Sequence, residues 1–280
     1  MINAGVIGWP VAHSRSPLIH GFWLKQHRIE GSYLRIPVEP GHVATFLAGL
    51  EAACLAGCNV TLPHKEAAFA QVRIADEATE RLGVVNTVYR RAGVTWGTST
   101  DGAGFLASLS ATAPGWTARG QHITVLGAGG AARAIAGTLV AEGAAQVIAA
   151  NRSLARADEL RRVFGKTIVP CPLDEVEAVL GETSLLINTT SLGMRGQPPL
   201  ALNLDRLPSS AIVADIVYTP LETALISSAR QRGLIAIPGL GMLLHQAVKG
   251  FSLWFGVTPA VTPELYDLVA ADIVAPQTPS

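Results

Sequence analysis

The sequence predicts an α/β protein of two domains, an N-terminal mixed α/β domain followed by a doubly wound parallel-sheet domain. Three observations carry this. Short apolar runs of strand length alternate with helical stretches along the chain. The later runs are apolar at nearly every position, as strands buried on both faces of a parallel sheet are. The length of 280 residues, at roughly 150 residues per domain, accommodates two domains. Composition agrees, because 49% hydrophobic and 15% charged residues describe a chain able to bury a core and not a disordered one. Lys plus Arg and Asp plus Glu balance at 21 each. No net field then draws the protein to nucleic acid or an anionic membrane, and any bound anion must be held locally.

In the first domain the strand-like runs fall at 5–7, 32–36, 58–62, 84–89 and 94–96, with helices near 17–27, 40–53, 64–71 and 74–82. The second domain opens on a buried strand at 123–126, then on "QVIAANRS", and continues with strands at 167–169, 185–188, 212–216 and 234–237. Six strands with intervening helices suit a doubly wound sheet. The segment 111–121, with Pro114 and two glycines, reads as the linker, and apolar helices near 240–255 and 263–274 follow the last strand. The expected division is 1–110 plus 240–280 for one domain and 111–239 for the other, the late helices returning to the first domain and closing over a cleft. Residues 276–280, "PQTPS", are expected to fray. The apolar run 2–9 lacks a basic leader and is too short to span a bilayer, and no later stretch approaches roughly 18 apolar residues. The expectation is a cytoplasmic protein. Cys54, Cys58 and Cys171 read as reduced core thiols. A zinc site from Cys54, Cys58 and His64 lacks a fourth ligand at a usual spacing, so no metal is expected.

"LGAGGAARA" places Gly127, Gly129 and Ala132 in a GxGxxA pattern between a strand and a small-residue helix, with Ala128, Gly130 and Ala131 completing the turn. The first glycine permits the tight turn, and the second lets the backbone approach a pyrophosphate. The small third residue lets helix pack on strand. A Rossmann-like nucleotide domain follows. Its second strand ends in "AANRS", where NAD binders tend to carry a carboxylate for the ribose 2′-hydroxyl. Here stand Asn151, Arg152 and Ser153, with Arg156 one helical turn on. Two guanidinium groups can clamp a 2′-phosphate in bidentate fashion, which points to NADP(H). The alternative is a solvated start of a helix.

A hydride moving from a nicotinamide to a ketone creates an alkoxide that must be stabilised and protonated. In "NVTLPHKEA" Lys65 is the best-placed cation for this. "STDGAG" offers Asp101, at a second strand end, as the carboxylate to hold it. The plain alternatives are an exposed lysine on a first helical turn and an aspartate N-cap.

"GVIGWPVAHSRSPLIH", "NVTLPHKEA", "GVVNTV", "TDGAG", "GAGGAARA", "NRS", "NTTSLGM", "DIVYTP" and "GLGMLLHQA" occur in this order. Together, from about residue 5 to residue 275, they resemble the shikimate dehydrogenase family. The resemblance implies reversible NADPH-dependent reduction of 3-dehydroshikimate to shikimate. It also implies that Lys65 and Asp101 are the catalytic pair and that Ser14 and Ser16 bind the substrate carboxylate. Ser16 before Pro17 reads equally as a helix N-cap. By the same resemblance Asn59, Thr61, Asn86, Asp101 and Gln246 meet the ring hydroxyls and Tyr218 approaches the substrate. Thr189, Ser191, Met194, Ile216, Gly239 and Met242 line the nicotinamide side.

Ser99, Gly21 and Ser153 depart from the family's usual Asn, Asn and Thr. That leaves room for quinate or aminoshikimate as substrate. A rival of another class is an NADP(H)-sensing protein without turnover, which would need neither Lys65 nor Asp101. His13, His20 and His27 read as surface or packing residues. The expected partner is a small molecule, with no nucleic acid and no membrane, the chain acting as a monomer or homodimer.

Overall fold

The structure, a computed structural model, describes residues 1–275. It divides into two compact units. One comprises Met1–Asp101 and Gln246–Val269, and the other Gly102–His245 with the described residues from Ala270 onward.

The first unit runs β1 (Ile2–Gly8), α1 (Ser16–Gln26), β2 (Gly31–Pro37), α2 (Val43–Ala48), β3 (Leu55–Val60), α3 (Lys65–Phe69), β4 (Arg73–Ile74), α4 (Glu77–Leu82), β5 (Thr87–Arg91) and β6 (Val94–Thr98). Its six strands are ordered β2-β1-β3-β5-β6-β4. β1 is parallel to both β2 and β3, whereas β5 runs antiparallel to β3 and β6 antiparallel to β5. This mixture brings to one end of the sheet, among others, the chain segments leaving β1, β3 and β6 and the one entering β5. The core beneath holds Ile7, Leu50, Val60, Val85 and Val88.

Local chemistry moves several boundaries from their expected places. The predicted helix 74–82 begins only at Glu77, where Asp76 caps it by accepting from the Thr79 amide at 2.8 Å, and Arg73–Ile74 forms a short strand on β6 instead. The strand expected at 84–89 starts at Thr87. The irregular residues ahead of it are pinned by Val85 N–H donating to the Lys65 carbonyl at 3.1 Å. Helix α2 is shorter than 40–53, because Gly41 sits at φ +90° before it and Gly49 ends it. Cys54 is exposed, at φ +54°, in the turn before β3, so only Cys58 and Cys171 are buried thiols.

The second unit holds β7 (His122–Leu126), α6 (Gly130–Ala141), β8 (Gln146–Asn151), α7 (Leu154–Phe164), β9 (Ile168–Pro172), a 3₁₀ helix (Leu173–Glu182), β10 (Leu185–Asn188), β11 (Ile212–Asp215), α8 (Ala224–Gln231) and β12 (Ile235–Ile237). The helix α5 (Asp101–Thr112) leads into it. α9 (Leu240–Phe255) starts in this unit and runs into the first, and α10 (Pro263–Val274) closes the described chain. All six strands are parallel, in the order β12-β11-β10-β7-β8-β9. This is the doubly wound arrangement, its direction of winding reversing between β7 and β10. Ile123, Val125, Ile135, Leu139 and Ile187 fill its core.

The division by contacts falls at Asp101 and Gly102, at the head of α5, ahead of the segment 111–121 expected as linker. Residues 276–280, expected to fray, lie outside the described residues. No helix among the described residues is long and apolar enough to cross a membrane.

Candidate active site

The segments gathered at one end of the first sheet carry most of the proposed substrate residues. Lys65 opens α3 and Asp101 opens α5. The lysine ammonium meets Asp101 Oδ2 at 2.5 Å, and its side chain is only 16% exposed. That is not the solvated lysine of a bare first turn. Asp101 Oδ1 accepts from Asn86 Nδ2 at 2.7 Å, so both carboxylate oxygens are engaged by side chains. A partly buried charged pair whose carboxylate is bonded at both oxygens is restricted in the geometries it can adopt.

Asn86 is itself fixed. Its Oδ1 accepts the Thr100 amide N–H at 2.9 Å and the Thr87 hydroxyl at 3.1 Å, while Nδ2 also reaches Thr100 Oγ1 at 3.0 Å and Gln246 Oε1 at 3.5 Å. Asn59 is buried, its Nδ2 donating to the Asn86 carbonyl and to Thr87 Oγ1, both at 3.1 Å, and its Oδ1 accepting from the Tyr33 phenol. Each polar atom of these two amides thus has a partner inside the protein. Thr61 is half-buried just beyond β3, its methyl packed where a side chain at Gly8 would stand.

Ser14 lies in the loop after β1 and Ser16 opens α1, their hydroxyls 3.3 Å apart, with the Ser16 amide also 3.3 Å from Ser14 Oγ. Ser16 is the first residue of α1 and not its cap. The N-cap position belongs to Arg15, and no side chain caps the helix. The capping reading of Ser16 therefore falls away.

Sequence reasoning missed Tyr33, Thr87 and Thr100, which hold this cluster together. Tyr33 stacks on His20 with ring centres 3.9 Å apart, inside an aromatic group completed by Trp23, Phe251 and Trp254. Burial raises the Tyr33 phenol well above its ordinary value, against weaker lowering by hydrogen bonds to Ser16 and Asn59. Burial likewise drives His20 down to about 3, the neighbouring Asn59 amide offsetting part of the fall. Neither His20 ring nitrogen has a hydrogen-bond partner.

Tyr218 and all the proposed cofactor residues lie in the second unit, at or just beyond the carboxyl ends of its strands, where open α/β sheets bind ligands. Gly127 adopts φ +109° after β7, its N–H donating to the Ala150 carbonyl, and a side chain there would collide with Thr189 Oγ1. Gly129 caps α6, Gly130 and Ala131 form its first turn, and no atom lies within 4 Å of where a Gly129 Cβ would stand. Ala132 is fully buried against the sheet. The first turn carries no acidic residue, and Arg133 Nε is buried there without a partner. Open backbone amides, an unused guanidinium N–H and a helix N-terminus fit a pyrophosphate. At the end of β8, Asn151 Nδ2 donates to the Ser153 carbonyl at 2.9 Å. Ser153 is the N-cap of α7 with its hydroxyl making no cap bond, and Arg152 and Arg156 are exposed. This donor set fits a 2′-phosphate.

Thr189 donates to the Leu126 carbonyl at 2.6 Å, Ser191 and Met194 are exposed beyond β10, and Ile216 and Met242 pack on the core. A side chain at Gly239 would collide with the Ile216 carbonyl. Asp215, also missed, fixes this region: it accepts from Asn188 Nδ2, the Val217 amide and the Thr223 hydroxyl at 2.9, 2.9 and 2.7 Å. Burial raises its carboxyl while these bonds lower it, the first prevailing. Its sequence signal was its place beside Ile216 in "DIVYTP".

A family model described as the shikimate dehydrogenase substrate binding domain matches residues 6–88. A shikimate / quinate 5-dehydrogenase model matches 110–194, and a shikimate 5′-dehydrogenase C-terminal domain model matches 239–263. Shikimate dehydrogenase (NADP(+)) of Azorhizobium caulinodans is 51% identical over 275 residues, 98% of each chain. The chain belongs to the shikimate dehydrogenase family. Among solved members, shikimate 5-dehydrogenase from Thermus thermophilus, in complex with NADP(H) and shikimate, superimposes with a TM-score of 0.85. It is 36% identical, over 98% of this chain and 100% of that one. Quinate dehydrogenase from Corynebacterium glutamicum, in complex with NAD, gives a TM-score of 0.88 at 29% identity, over 96% and 99%.

Proposed function

We propose that the protein is an NADP-dependent oxidoreductase interconverting 3-dehydroshikimate and shikimate, acting in the cytoplasm as a monomer or homodimer. The observation that carries this is the buried Lys65–Asp101 pair, with Asn86 on the second carboxylate oxygen. A reaction that makes an alkoxide needs a positioned proton donor. The Lys65 Nζ supplies that proton to the ketone oxygen as charge develops there, and Asp101 keeps the ammonium aimed. In the reverse direction Lys65 takes the proton from the shikimate hydroxyl. Ser14 and Ser16 donate to the substrate carboxylate without burying a further charge. Thr61 and Gln246 contact ring hydroxyls, with Asn59 and Asn86 bordering them and Tyr218 approaching the substrate from its own loop. Gly127 to Ala131 hold the pyrophosphate, while Asn151, Arg152, Ser153 and Arg156 take the 2′-phosphate. Thr189, Ser191, Met194, Ile216, Gly239 and Met242 border the nicotinamide. When bound, NADPH supplies the hydride.

Absorbance at about 340 nm, where reduced nicotinamide absorbs, follows the reaction with shikimate and NADP+. A steady shikimate-dependent rise is the expected result, and its absence sinks the proposal. The second reading, quinate or aminoshikimate as the preferred substrate, rests on Ser99 and Gly21 and on the likeness to a quinate dehydrogenase. Steady-state rates on the three substrates decide between them.

A further inference from the structure

The geometry points to Tyr33 as a remote positioning residue for the Lys65–Asp101 pair, acting through a one-way chain of buried hydrogen bonds. This rests on the function proposed above. The chain runs from the Tyr33 phenol to Asn59 Oδ1 at 2.5 Å, and from Asn59 Nδ2 to Thr87 Oγ1 at 3.1 Å. It continues from the Thr87 hydroxyl to Asn86 Oδ1 at 3.1 Å and from Asn86 Nδ2 to Asp101 Oδ1 at 2.7 Å. All five residues are buried.

Its direction is fixed by obligate partners. The Asn86 carbonyl can only accept, so the Asn59 nitrogen must face it, leaving Asn59 Oδ1 toward Tyr33. The Thr100 amide can only donate, so Asn86 Oδ1 must face it, leaving Nδ2 toward the carboxylate. Thr87 Oγ1 therefore accepts from Asn59 Nδ2, and its hydroxyl donates to Asn86 Oδ1. Each donor polarises the next, which strengthens the last bond, the one on Asp101. The Tyr33 ring is held for this task by its stack on His20. Without the phenol, Asn59 Oδ1 loses its donor and only its Nδ2 bonds remain, so the polarisation passed along the chain falls and the hold on Asp101 slackens.

The test measures kcat and KM for shikimate, with saturating NADP+, for the full-length wild type, Tyr33→Phe, Thr87→Val, Thr87→Ser and the double variant Tyr33→Phe/Thr87→Val. Tyr33 also adjoins Ser16, whereas Thr87 reaches the same chain from the other side, so the two substitutions separate the chain from the carboxylate hydroxyls. We expect Tyr33→Phe and Thr87→Val each to lower kcat about 10-fold with a smaller change in KM. Restoring the hydroxyl in Thr87→Ser recovers most of the loss, and the double variant is no worse than about the poorer single one, since both break one chain. Should Tyr33→Phe fail to fold, the two Thr87 variants decide alone. Single variants with wild-type kcat, or losses that multiply in the double variant, overturn the inference while leaving the function intact. A wild type without shikimate turnover overturns the function and this inference with it.

Discussion

A carboxylate buried beside an ammonium is costly to desolvate and is held in place where both of its oxygens are engaged. Asp101 meets that condition through Lys65 and Asn86, which makes the pair a geometry and not a chance contact. The meeting of Lys65 and Asp101 was legible because each opens a helix shortly after a strand, in a short motif whose chemistry is local. Arg152 is read in the same way, as the cation where an NAD binder would place an acid. Arg152→Asp is expected to raise KM for NADPH by roughly 10- to 100-fold, the worth of a charge-assisted hydrogen bond replaced by repulsion, and KM for NADH far less; equal effects on both would remove the 2′-phosphate assignment. Tyr33 and His20 were not legible, since nothing in their neighbourhood in sequence announces burial. His20 carries its own prediction. Folded, it stays neutral down to about 3, whereas unfolded it titrates near its ordinary value of about 6.5. As pH falls between those values the unfolded chain takes a proton that the fold refuses, so stability is lost, by at most about 5 kcal/mol. His20→Phe should flatten that loss, read as a smaller drop in urea midpoint between pH 7 and pH 4 than the wild type shows.

At the scale of elements, position in the sheet is set by who can approach whom. The later part of α9 docks on the first sheet where Trp254 Nε1 donates to the Val88 carbonyl at 2.9 Å, and Gly57 on β3 leaves the room for it. A Cβ at Gly57 would stand 2.1 Å from the Val88 carbonyl and 2.4 Å from Trp254 Nε1. Gly57→Ala therefore has to move backbone or unseat the helix. A loss of at least about 1–3 kcal/mol is expected, visible as a lowered Tm, and an unchanged Tm would mean that this contact does not set the docking of α9. The parallel strands of the second unit were readable because continuous apolar runs and a glycine turn are signals within one segment. β4 was hidden, for Arg73–Ile74 becomes a strand only by pairing with Trp96 and Gly97. The late start of β5 was hidden for the same kind of reason, the residues before it being pinned by a carbonyl from α3.

Across the whole molecule the same distinction separates what the sequence announces from what only folding creates. The doubly wound sheet, the glycine turn, the change at Asn151 and Arg152, and the ordered motifs are all short-range. The buried cluster behind Asp101 is not: it depends on Asn59 facing Thr87 in the antiparallel register of β3 and β5, and on Thr87 facing Thr98 across β5 and β6. A slip of one residue would turn Asn59 and Thr87 to opposite faces, and no local pattern sets that register. The chemistry proposed here therefore rests on sheet pairing as much as on the two residues that perform it. The measurement that tests it most directly is the initial rate of shikimate oxidation by NADP+, followed at about 340 nm, for wild type and Lys65→Met side by side at matched folded protein. The account predicts turnover by the wild type and a kcat lower by about 10² to 10⁴ in the variant, with shikimate binding changed much less; a variant that keeps most of the wild-type turnover would contradict it.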